Sequence, residues 1–168
     1  MLVQGNYDGV KPAGDGRLPI NDGPYRVRIT KVEDKVGRSD KKNGFTMTLL
    51  FDPADGAPAQ AMRPKWQTYP DANAPADDRD KADYVKLMAE ALGMTGEQIT
   101  GILKSQGIDP CAVLVNRGIF VQLTSYTRKG KPNSDEDPNK DYPEENSRVI
   151  SAQAYAERKA DAAGCSGG

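Results

Sequence analysis

The chain contains no His, which removes the commonest side-chain chemistry at the outset. Without an imidazole there is no Ser/His/Asp or Cys/His nucleophile pair and no His-containing zinc site. Cys111 and Cys165 lie too far apart in sequence for a CxxC redox pair or a zinc knuckle. Asp71, Asp77, Asp78, Asp80 and Asp83 offer the hard oxygen ligands a Mg²⁺-dependent nuclease needs. Carboxylates in a loop entering a helix, however, serve far more often as caps and dipole partners. Neither a GxxxxGK[ST] cradle nor a GxGxxG turn occurs, so nucleotide-driven and dinucleotide chemistry lack their usual signatures. What remains is a set of cations and rings: Arg26, Arg28, Lys35, Arg38, Lys41, Lys42, Arg63, Lys65, Tyr69, Phe120, Tyr126, Arg128, Lys129 and Lys131. Phosphates attract cations, and unpaired bases stack on flat rings at ~1 to 3 kcal/mol per base. The expectation is a binding surface with no catalytic residue, no metal and no cofactor.

The elements that must position these residues are legible in part. Residues 1–22 are rich in Gly, Pro and Asp and show neither helical nor strand period, which predicts a flexible N-terminal arm. Tyr25, Val27 and Ile29 then alternate with Arg26, Arg28 and Thr30, the period of a strand with one buried and one wet face. A polar stretch closed by Asn43-Gly44 leads into a second alternating strand with Phe45, Met47, Leu49 and Phe51, so the two predict a hairpin. A third strand over 62–69 carries Trp66, with Pro64 demoting it to an edge. Parity in that strand places Trp66 in the core and Tyr69 on the basic side.

Tyr84, Leu87, Met88, Ala91 and Leu92 repeat at helical spacing and stop at Gly93; Thr95-Gly96-Glu97-Gln98 matches a capping box for a second helix. Asp109-Pro110 starts another helical turn. Ile119, Val121 and Leu123 alternate in a fourth strand that leaves Phe120 and Tyr126 outward. A charged loop over 128–141 precedes a short strand over 148–152, and residues 153–168 form a helical or disordered tail. The fold class is mainly β: a five-stranded barrel with helices between strands three and four, over residues 23–152. That order is the one used by OB-fold barrels, which bind oligonucleotides on strands two and three and through the loops joining strands one to two and four to five.

The charge balance is near zero, 23 Lys plus Arg against 24 Asp plus Glu, yet the cations gather in those strands and loops while the carboxylates gather over 71–83 and 135–145. A neutral total thus covers a divided surface. No window approaches the ~20 apolar residues a membrane span needs, so a cytoplasmic protein without membrane contact is expected.

The segments Gly23-Pro24-Tyr25-Arg26-Val27-Arg28-Ile29, Phe45-Thr46-Met47-Thr48-Leu49, Trp66, the helix ending at Leu92-Gly93, and Gly118-Ile119-Phe120-Val121-Gln122-Leu123 resemble, in order, the OB-fold single-stranded-DNA-binding proteins of phages and prophages. The resemblance implies coating of transient single strands during phage replication or recombination in a bacterial host, with replication or recombination proteins as further partners and self-association left open. The C-terminus lacks the acidic tail many such proteins use to recruit partners. An alternative of a different class is a phage structural or protein-interaction module that binds no nucleic acid.

Overall fold

The computed structural model describes residues 1–16, 23–38, 42–55 and 64–166. Five strands, β1 (Pro24–Lys35), β2 (Gly44–Phe51), β3 (Lys65–Thr68), β4 (Gly118–Lys129) and β5 (Asp141–Ile150), form one antiparallel sheet in the order β3-β2-β1-β4-β5. Three helices fall between β3 and β4: α1 (Arg79–Leu92), α2 (Gly96–Ser105) and α3 (Pro110–Val113). A fourth, α4 (Ala152–Ser166), follows β5.

The alternation read in β1, β2 and β4 buries Val27, Ile29, Phe45, Met47, Leu49, Ile119 and Val121 on one sheet face. α1 and α2 close that face with Tyr84, Leu87, Met88, Ile99 and Leu103. α1 starts on the Asp78 cap, which accepts from the Lys81 amide, and ends where Gly93 turns left-handed at φ 65°. The predicted capping box of α2 is present, Thr95 and Gln98 satisfying each other's backbone donors. At Ile29/Lys31 the β1–β2 register shifts through a bulge, so that beyond Thr30 it is Val32 that faces the core beside Met47, while Lys31, Glu33 and Lys35 turn outward.

The sheet is not a closed barrel. Its edge strands β3 and β5 face each other across a cleft, and among the described residues no backbone ladder joins them. The inward positions of the short β3 are Lys65 and Gln67, which cannot supply an apolar seam, and α1 brings Arg79, Asp83 and Lys86 into the gap. Lys65 spans it by donating its ammonium to the Ser147 carbonyl.

Residues 1–16 are packed rather than detached. Val3, Tyr7 and Val10 are buried, and Val3 forms a bridge with Ile108. The buried Lys81 ammonium holds the segment down, donating to the carbonyls of Asn6, Ala72 and Ala74 at 3.2, 3.1 and 2.7 Å and lying 4.7 Å from the Tyr7 ring centre. Residues 17–22 of the expected arm lie outside the described residues. At the other end, β5 starts at Asp141 rather than near 148, and the tail is the helix α4. Among the described residues no helix is long and apolar enough to cross a membrane.

Candidate nucleic-acid interface

The outer face of β1, β2 and β3 brings together one ring and a row of cations. Cross-strand pairing sets Glu33, Thr46 and Trp66 in one line and Lys35, Gly44 and Thr68 in the next. Trp66, expected in the core, is 40% exposed. Its indole lies across Gly44, where an added Cβ would come within 2.6 Å of the ring and 2.4 Å of the Gln67 carbonyl. The indole N–H donates to the Thr68 hydroxyl at 3.0 Å. Gly44 is therefore a docking floor for the ring, and the indole is held as a flat platform on the sheet.

Lys31 and Lys35 flank this platform on β1. Both pair with Glu33, at 2.8 and 3.6 Å, and the Lys31 hydrogen bond holds the Glu33 carboxyl below its ordinary range. Two cations share one carboxylate, which leaves the row positive. Arg28 continues it beyond the bulge, paired with Leu50 on one side and Gly118 on the other. A groove of about 370 Å³ runs beneath Arg26 and Arg28, floored by Leu50, Phe51 and Pro53. At roughly 3.3 Å per residue, the stretch of β2 from Gly44 to Leu50 separates platform and groove by about 20 Å.

Arg26 has a second role. Its guanidinium sits 5.4 Å from the Phe120 ring centre and 6.0 Å from that of Tyr155 on α4, and those two rings stack at 4.4 Å. Phe120 is thus covered by α4 instead of standing free. The Tyr155 hydroxyl and the Arg26 amide both donate to Asp55. Burial works against the Asp55 charge, but these donors and Lys159 keep its carboxyl below the ordinary value.

The other expected site residues separate from this face. Tyr69 is buried, 5.2 Å from Phe45 between ring centres, and donates its hydroxyl to Asp34; burial and that bond push its pKa far up. Lys65 points into the β3–β5 cleft. Arg128 is saturated by its own neighbours, meeting Glu136 at 2.6 Å and Glu144 at 2.7 Å, and Lys129 pairs with Asp141 at 2.7 Å. Tyr126 is exposed on the same hairpin, and Lys131 is exposed in its turn. Glu144 and Glu145 line a cavity shared with Trp66, so the hairpin presents carboxylates to the platform. The expectation that its cations join the track is therefore corrected. In the β1–β2 loop Arg38 is exposed and Lys42 approaches Asp80 at 3.4 Å; Lys41 and Arg63 lie outside the described residues.

The acidic residues ahead of α1 act as local caps: Asp71 accepts from the Asn73 amide and Asp78 from that of Lys81. Lys31 was missed in the sequence, although the Lys-x-Glu-x-Lys alternation at 31, 33 and 35 carries the period of a wet strand face. No family model matches the chain, and neither does a curated protein or a solved structure.

Proposed function

We propose that the protein binds single-stranded DNA without chemistry, on the outer face of β1, β2 and β3, and coats transient strands in phage replication or recombination. The observation that carries the reading is Trp66, an exposed indole pinned flat over a glycine beside the cationic row Lys35, Lys31 and Arg28. A ring of this kind stacks any base, and cations spaced along a strand meet successive phosphates, so neither contact requires a particular sequence. An OB-like architecture is supported by the sheet order, in which β1 lies between β2 and β4 while the edges β3 and β5 curl to within reach of the Lys65 side chain.

Fluorescence anisotropy of a labelled oligo-dT at low salt tests the reading. Trp66→Ala should weaken binding by about 1 to 3 kcal/mol, roughly 5- to 150-fold. Lys104→Ala should leave it within about twofold, because that ammonium, carried by α2 on the opposite sheet face, pairs with Asp8. No binding by the unmodified protein would end the proposal. A Trp66→Ala protein that binds as well as the parent would move the site elsewhere.

A further inference from the structure

The cleft between β3, β5 and α1 is a second site, which adjoins the outer sheet face at Trp66 and Thr68. It encloses about 210 Å³ and is lined by Lys65 from β3, Arg148 from β5, and Arg79, Asp80, Asp83 and Lys86 from α1. Two of these six are already matched. Lys86 meets Asp15 at 2.9 Å and Glu90 at 3.7 Å, and Asp80 meets Lys42 at 3.4 Å. The remaining four face each other across the space: Lys65, Arg79 and Arg148 around the half-buried Asp83.

Among the described residues none of those three cations forms an ion pair, and Asp83 has neither an ion pair nor a hydrogen bond. Arg148 spends one N–H on the Gly14 carbonyl at 3.1 Å and Lys65 one on Ser147, and no other described residue accepts from either side chain. The cleft is therefore positive and rich in donors, and Asp83 is its one carboxylate without an ion pair among the described residues. Burial raises the Asp83 carboxyl pKa and depresses that of the Lys65 ammonium, the direction desolvation gives to each charged form.

A ligand complementary to this set must offer several acceptor oxygens with negative charge and one proton for Asp83. We infer that the cleft binds a phosphate that carries a proton, as inorganic phosphate or as the monoanion of a nucleotide's terminal monoester, with Lys65, Arg79 and Arg148 on its oxygens and Asp83 sharing its proton. An internal phosphodiester has no such proton and would meet the Asp83 carboxylate directly, so the ligand of this cleft differs from the internal phosphates of a coated strand, although Trp66 and Thr68 border both. Sulfate, alike in shape but fully deprotonated near neutrality, is the natural discriminator, because it leaves Asp83 unpaired beside an anion.

Isothermal titration of the full chain at pH 7 tests the inference. Inorganic phosphate should bind saturably at one site, and sulfate at least about tenfold more weakly, the ratio expected when a buried acceptor loses its donor. Asp83→Asn, whose amide can donate, should abolish the preference for phosphate over sulfate. Arg148→Gln should weaken both anions while leaving the thermal midpoint close to that of the parent, since Arg148 is exposed. In a second titration at about pH 5.5, where a phosphate monoester carries its proton, tighter binding of thymidine 5′-monophosphate than of phosphate, with none by thymidine, would assign the site to a polynucleotide's phosphorylated end. Binding of inorganic phosphate alone would assign it to the free ion. No saturable heat with phosphate, equal affinity for sulfate, or an Asp83→Asn protein that keeps the preference would each overturn the inference. Loss of oligo-dT binding would bear on the outer face instead.

Discussion

At Gly44 a side chain would compete with the Trp66 ring and the Gln67 carbonyl for the same space. Gly44→Ala should destabilise the fold by about 1 to 3 kcal/mol, the usual range for forced overpacking, and shift the emission of the single Trp as the ring lifts from the sheet; urea unfolding and an emission spectrum read both effects. The two outward arginines of β1 should respond differently to charge reversal. Arg28→Glu should weaken oligonucleotide binding with little change in thermal midpoint, whereas Arg26→Glu should lower both, because Arg26 packs on Phe120 and Tyr155. Lys81→Met leaves three carbonyls without their donor and should cost about 3 kcal/mol or more, measured by urea unfolding. Side-chain direction was the least legible property of the sequence. Trp66 and Tyr69 exchange the places parity assigned them, because a four-residue strand after Pro64 has too few apolar positions to fix which face is buried. The β1 bulge likewise reverses parity at Lys31 without any local signal.

Among the elements, α4 depends on two carboxylates. Asp15 accepts from the Ser151 amide and hydroxyl at 2.7 and 3.1 Å, and Asp55 accepts from Tyr155. Both lie below the ordinary 3.8 in the folded state, burial being outweighed by their donors. Their contribution is therefore complete above about 3.8 and lost as pH falls through the lower folded values. Acidification below about 3.8 should loosen α4 before the sheet, seen as a loss of protection, relative to intrinsic exchange, at the Ala154 and Tyr155 amides ahead of the sheet amides. The β4–β5 hairpin is stapled by Arg128 and follows the same sign. Glu136, lowered to about 2 by Arg128, should keep the hairpin turn ordered until the most acidic part of that titration, with the Lys131 amide as reporter. The β1–β2 pairing, α1 and α2 were readable because apolar period and, in the helices, the caps agree there, whereas Gly44 of the expected Asn43-Gly44 turn is already the first residue of β2. The first half of β5 and residues 1–16 were not. The outer part of the β4–β5 hairpin buries neither face, so alternation is absent, and the N-terminal segment is held by isolated anchors rather than by a periodic stripe.

At the scale of the molecule, the sheet carries its cations in two places that a net charge of only -1 conceals: outward along β1 and inward across the β3–β5 cleft. The sequence grouped them into one track because it assigned Lys65, Arg128 and Lys129 by strand and loop, and the partners that claim them lie on other elements. With Glu33 offset against four cations, Arg26, Arg28, Lys31 and Lys35, about three phosphates should be neutralised. At about 0.7 per phosphate, log K should then fall against log salt with a slope near -2. The most direct measurement is a titration of the Trp66 fluorescence with oligo-dT at two salt concentrations. The account predicts saturable quenching at low salt that weakens with that slope. Unchanged Trp66 emission under conditions where the oligonucleotide demonstrably binds, or no binding at low salt, would contradict it.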